Sequence, residues 1–232
     1  MQSELVPIQP ITSVTDILLT LEAVFLIYLI VSKAKKANIF DASLKLWVGG
    51  YGCIVMFAIL GAISHFLSDG FLVAFFWPPT MIFGGLSFVC VVSALIFHVK
   101  PDNNKPLLLL PIFMVIIYVI IAIIYEWKFI IWVGLLGICS ILIYFMGFLL
   151  YKKDHPISKN ILLGNTIILL SGIFQFVGGM FFYPEDQEGI FLNPEGTAIF
   201  RPQNDGFHII AGIGLYVFYL GIRNAFFREK TS

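Results

Sequence analysis

Seven apolar runs divide the chain, near residues 16–33, 45–67, 71–98, 107–125, 129–151, 160–182 and 206–226. A helix of roughly 20 residues, rising 1.5 Å per residue, crosses the ~30 Å hydrocarbon core of a bilayer. The pattern therefore predicts a single all-α domain over residues 1–232, a polytopic bundle of seven transmembrane helices. The third run carries Pro78 and Pro79 near its start, where two lost backbone donors predict a kink or a distorted first turn. Splitting that run would leave two pieces too short to cross, so it counts as one span. Most connections are short. The long one, 183–204, holds the apolar runs "GIFL" and "TAIF" around the turn sequence "NPEG". That order predicts a short β-hairpin, either a lid or a solvated connector, leading into Asn204 and Asp205.

Composition agrees with the spans: 59% of residues are apolar and 12% charged, against roughly 25% charged in a soluble domain. Polar surface cannot cover such a chain, so lipid must. The net charge of zero hides a segregation. Lys33, Lys35, Lys36, Lys45, Lys100, Lys105, Lys152, Lys153, Lys159, Arg223, Arg228 and Lys230 all fall on one side of a seven-span layout, 12 of the 14 Lys and Arg. Lys128 and Arg201 fall opposite. The positive-inside rule then puts the N-terminus outside and the C-terminus in the cytoplasm, which in a bacterium means the inner membrane. The lysines at 33–36 are expected to meet anionic lipid headgroups; nothing signals nucleic acid. The expected partners are membrane lipids and other membrane subunits. Cys53, Cys90 and Cys139 lie in apolar runs and are expected as buried thiols without a disulfide framework. The opening "MQSELVPIQPITSVTD" lacks a basic segment and does not read as a cleaved signal peptide.

The outer face gathers the chemistry. Asp16 opens the first helix, His65 and Asp69 close the second, and Asp205 and His208 open the seventh. Gly61, His65 and Asp69 share one helix face, and Asp205, His208 and Gly212 share another. Glycine on both faces permits close approach. The two faces are expected to meet, with His65 beside His208 and Asp16 or Asp205 nearby. Simpler readings stand beside this one: Asp16 and Asp205 as helix caps, Asp69 as a turn residue, His65 and His208 as a satisfied core pair. His98 and His155, at cytoplasmic helix ends, need no function. Glu22 lies six residues beyond Asp16, about 9 Å deeper and on a different face. It should point into the bundle or a wet cavity, neutral or functional.

The His-bearing end of helix 2, "GAISH", and the opening of helix 7, "NDGFHIIAGIGLY", resemble the CREST superfamily, which includes alkaline ceramidases and adiponectin-receptor-like proteins. The resemblance implies a seven-span fold, zinc held by histidines on helices 2 and 7, and hydrolysis of a lipid amide or ester. It places His65 and His208 at two ligand positions, Asn204 at the third, and Gly61 where the superfamily has serine. The superfamily's acidic residue before a helix 3 proline falls near Phe76 or Trp77. Asp205 would have to complete the zinc ligands, with Asp16 as proton acceptor. The chain also resembles a bacterial seven-span family with "TD" before helix 1 and "ND-x-x-H" opening helix 7, which implies no particular activity. Two readings follow: a metal-dependent intramembrane hydrolase, or a non-catalytic subunit, scaffold or lipid-binding protein whose polar cluster is structural. Haem between His65 and His208 is a third chemistry. A Schiff base on helix 7 is excluded, because no lysine lies between Asp205 and Arg223.

Overall fold

In a computed structural model the described residues form seven helices and one two-stranded hairpin. The structure describes residues 9–67, 70–100, 109–125, 129–182, 191–192, 198–200 and 202–227. The helices are α1 (Pro10–Ala37), α2 (Ala42–Phe66), α3 (Gly70–Val99), α4 (Leu109–Ile124), α5 (Phe129–Tyr151), α6 (Ser158–Phe182) and α7 (Pro202–Phe226). Six of the seven are long and apolar enough to cross a membrane, as befits an integral membrane protein. The other, α4, has 16 residues, about 24 Å of helix. Pro111, Tyr118 and Ala122 turn one side of it inward, while the other side, with Phe113, Ile117, Ile120 and Ile124, is exposed. A surface of that kind is stable only against lipid or another apolar partner.

The other six helices close a ring in the order α1, α2, α3, α5, α6, α7, and α4 leans on α3 and α5. On α1 one stripe turns inward: Asp16, Leu19, Ala23, Leu26, Ile30 and Ala34 are buried, a spacing of three and four residues that keeps one helix face on the core. On the ring's other side α6 and α7 approach at glycine. A Cβ added at Gly164 would meet the backbone oxygen of Gly214 at 3.0 Å, and one at Gly214 would meet that of Gly164 at 3.1 Å. Trp47 and Phe218 fill the centre edge to face, with ring centroids 6.0 Å apart. The hairpin pairs β1 (Phe191–Leu192) with β2 (Ala198–Phe200) in antiparallel register, as the runs around "NPEG" predict; the turn itself lies outside the described residues.

Several helix limits differ from the sequence reading. The largest shift is in α1, which starts at Pro10 rather than near 16. Proline suits the first helical position because its missing N–H would have no intrahelical partner there. Asp16 is therefore the seventh helical residue and caps nothing, which corrects the capping alternative. Asp205 does lie in the first turn of α7, which starts at Pro202. Helix α3 runs through Pro78 and Pro79 as a continuous α-helix. All three cysteines are free; Cys139 is buried, Cys53 and Cys90 partly so. Asp69, Lys128 and Arg201 lie outside the described residues.

At the end of the ring opposite Asp16, His98 and His155 stack edge to face at 5.1 Å. Ser43 Oγ lies 3.0 Å from His98 Nε2. His155 Nδ1 accepts the N–H of Ile157 at 3.4 Å. Burial, and then the charge of Lys153, hold the His155 imidazole below the usual histidine range. A depressed histidine pKa means that the folded state prefers the neutral ring. Stability from this residue is complete above the ordinary value near 6.5 and is lost as pH falls through the lowered one. The unfolding temperature in detergent should therefore drop on acidification, and drop less in His155→Gln. Equal slopes in the two proteins would remove His155 from the account.

Candidate functional site: a carboxylate shared by two imidazoles

The first turns of α1 break the apolar pattern with Thr12, Ser13, Thr15 and Asp16, all buried. Ser13 Oγ donates to the carbonyl of Ala62 at 3.1 Å, and the N–H of Gln9 donates to the carbonyl of His65 at 2.8 Å. The second bond satisfies a carbonyl in the last turn of α2, which a helix end otherwise leaves without a partner. Both bonds fix the height of α2 beside α1. His65 is thereby set level with Asp16.

Asp16 is 1% exposed and lies between the two imidazoles. Its Oδ1 is 3.2 Å from His208 Nε2, and its Oδ2 is 3.9 Å from His65 Nε2. A Cβ added at Gly61 would come within 3.1 Å of Oδ2, so the bare Cα is what admits the carboxylate beside α2. On its other side His208 Nδ1 meets Thr15 Oγ1 at 3.0 Å. Thr15 Oγ1 in turn donates to Thr12 O at 2.9 Å or to Asp205 Oδ1 at 3.4 Å. A threonine hydroxyl has one proton to give. If it goes to Thr12 or Asp205, Thr15 accepts from the N–H at His208 Nδ1. The bare Nε2 then requires a proton shared with Asp16. In that arrangement His208 Nε2 and Asp16 Oδ1 hold one proton between them, and the direction of the Thr15 hydroxyl selects the tautomer.

Of the sequence candidates, Asp16, His65, Asp205 and His208 converge in one buried cluster. The expected meeting of the α2 and α7 faces takes a different form. Each packs along α1, with Gly61 against Asp16 and Gly212 against Glu22. The two helices reach one another through longer side chains, Tyr51 O–H donating to the carbonyl of Leu215 at 2.7 Å. Asn204 turns instead to α6, where its Oδ1 accepts from Gln175 Nε2 at 2.6 Å. Thr15 and Ser13 escaped the sequence reading. Their signal was the run "TSVTD", four hydroxyl or carboxyl residues in five positions of an otherwise apolar helix.

A groove of about 400 Å3 runs down the α1–α7 seam from the cluster, with Thr15 and His208 at one end and Glu22 and Tyr216 further along. Leu18 and Ile209 on its rim are 57% and 58% exposed, so it opens sideways rather than into the ring. Glu22 Oε2 lies against the bare Cα of Gly212. A carboxyl at that depth is costly against acyl chains alone and normally marks a wet or ligand-bearing cavity.

The donor set of the cluster, two imidazole nitrogens and carboxylate oxygens, is of the zinc type. Asp16 Oδ2 is buried without a hydrogen-bond partner, which leaves it a lone pair to give. Among the described residues no group of three His, Cys, Asp or Glu is already splayed around a metal-sized space. Asp16 would have to swing slightly from between the imidazoles to join them as a ligand.

No curated protein and no solved structure matches the chain in sequence or fold comparison. Residues 11–225, nearly the whole chain and every helix that builds the cluster, match the family of unknown function DUF6962, and the chain belongs to that family.

Proposed function

We propose that the protein is an intramembrane hydrolase of a lipid amide or ester, with the Asp16–His208 pair as its acid–base centre. The observation that carries this reading is the buried Asp16 carboxylate lying 3.2 and 3.9 Å from two imidazoles at the end of a groove that opens sideways. In it α4 completes seven spans, the N-terminus is outside, and the C-terminus and most basic residues are cytoplasmic. Asp16 then lies toward the outer leaflet. A lipid sliding along the α1–α7 seam brings its polar linkage to His208 and Thr15 while its chain stays against Leu18, Ile209 and Ile213. Asp16 Oδ2, which has no hydrogen-bond partner, takes the proton of the attacking water while the proton shared at Oδ1 passes to His208 Nε2, and the pair returns one proton to the leaving group. Asp205 acts through Thr15 to keep His208 oriented. Positioned proton transfer of this kind contributes about 10²–10⁴-fold to a rate.

Were zinc bound, His65, His208 and Asp16 would be the residues that hold it, and Asp205 would take over as proton acceptor. Bound zinc supplies a more acidic water and a polarised carbonyl. Metal analysis of protein purified without chelators tests this arm. Near one zinc per chain, lost in His65→Ala and His208→Ala, is expected. No metal, together with no hydrolysis across a panel of fluorogenic lipid amides and esters, would overturn the hydrolase.

The groove can be tested apart from the centre. Gly212→Val puts a side chain where the Glu22 carboxyl lies. It should lower hydrolysis at least about tenfold, as remote binding energy is lost, while metal content stays unchanged. Undiminished activity would mean that lipid arrives by another route.

A second reading is a non-catalytic subunit or lipid-binding protein in which the cluster pins α1, α2 and α7 together. It is favoured by one observation: both ring nitrogens of His208 already have protein partners. In that case variants at 16, 65 and 208 would change stability alone.

A further inference from the structure

The α1–α7 seam has a second opening, at the end of the ring away from Asp16. There Lys33 of α1 and Arg223, Asn224 and Phe227 of α7 line a cavity of about 420 Å3. We infer that this cavity is a binding site for the phosphodiester headgroup of an anionic bilayer lipid.

Two cations from different helices face one space, and among the described residues no acidic one lines it. Both α1 and α7 end nearby, and their carbonyl ends oppose an anion with about half a unit charge each. Two full side-chain charges outweigh them. Arg223 offers a planar fork that matches two phosphate oxygens, and Lys33 a point charge. Lys33 is half buried, whereas its neighbours Lys35 and Lys36 are exposed, and its Nζ sits 5.9 Å from the ring centroid of Tyr219. That contact steadies a long side chain that would otherwise lose entropy on binding. Asn224 Nδ2 donates to Asn160 Oδ1 at 3.4 Å, which ties the site to α6.

A lipid fits better than a free phosphate because of what lies beneath the charges. Toward the middle of the ring the same seam presents Tyr219 and the exposed ring of Tyr216, a path for an acyl chain. From Lys33 back to Glu22 is eleven residues, roughly 16 Å, about the depth of one leaflet. The seam thus takes a lipid from either leaflet: one at the Asp16 end, the other at Lys33 and Arg223. This second site does not depend on the hydrolase reading.

The test is retention of phosphatidylglycerol against phosphatidylcholine by native mass spectrometry, with the lipid-induced shift in unfolding temperature measured alongside. Wild type should prefer phosphatidylglycerol. Lys33→Gln and Arg223→Gln should each reduce that preference about fivefold, the weight of one interfacial charge. Arg223→Lys should keep part of it, and Lys35→Gln with Lys36→Gln should keep all of it. Because the thermal shift is a difference within each variant, a less stable variant remains readable. An undiminished preference in the Lys33→Gln/Arg223→Gln double variant would overturn the site. So would equal losses from positions 35 and 36, which would mean a diffuse field. Displacement of the lipid by millimolar inorganic phosphate would make the ligand a free anion and overturn the lipid assignment.

Discussion

Replacing His208 with alanine should remove hydrolysis and also weaken the fold. The reaction loses its proton carrier, about 10²–10⁴ in rate. The fold loses a partner from a carboxylate that is 1% exposed; breaking one side of a buried pair costs about 3–5 kcal/mol. The two losses separate in Asp16→Asn, which retains a polar partner for His208 at 3.2 Å but cannot act as a carboxylate. That variant should unfold near the wild-type temperature and still be inactive. Activity is measured in nanodiscs and stability by thermal unfolding in detergent. Full activity in His208→Ala would end the hydrolase reading. An unchanged unfolding temperature as well would show that the cluster matters neither chemically nor structurally.

Gly164→Val should be the most damaging change outside the cluster. A Cβ there would lie 2.5 Å from Phe218 Cδ1 and 3.0 Å from the backbone oxygen of Gly214. The phenyl ring could turn aside, but the backbone oxygen cannot, so α7 must back away from α6. Overpacking of this kind costs about 1–3 kcal/mol and sometimes more. Here it moves a whole helix, and the upper end is expected. Because α7 carries His208, activity should fall with stability. Gly137→Ala on α5 is the control: nothing lies within 4 Å of its added Cβ, and relief of glycine's helix penalty should leave it neutral or up to about 1 kcal/mol more stable. Equal behaviour of the two variants would show that α6 and α7 do not meet at their glycines.

The bundle was legible because its signal is long and redundant. Runs of 18 or more apolar residues have few other solutions, and each of the seven helices overlaps its expected run. Their ends were less legible. Helix α1 begins six residues before the apolar run because a proline start and four hydroxyl or carboxyl residues disguise its first turns as a loop. That misplacement is also why capping looked plausible for Asp16. The cluster was half legible. Position along the helices gave the depth of Asp16, His65, Asp205 and His208, since depth follows from counting residues. Rotation and neighbours did not follow, because they depend on which helices pack together. Nothing in the order of residues says that α1 lies between Gly61 and Gly212, or that Thr15 rather than a metal meets His208 Nδ1. The α1–α7 groove was equally hidden; only the oddity of Glu22 hinted at it.

The shared carboxylate is the claim on which the rest turns, and histidine side-chain NMR reads it directly. In protein labelled with 15N-histidine and held in nanodiscs, His208 should show a protonated Nδ1 in a hydrogen bond. Asp16→Asn should shift the ring nitrogens of both His65 and His208 while leaving His98 and His155 in place. If the substitution moves neither His65 nor His208, the two imidazoles do not share Asp16, and the centre proposed for this protein is not there.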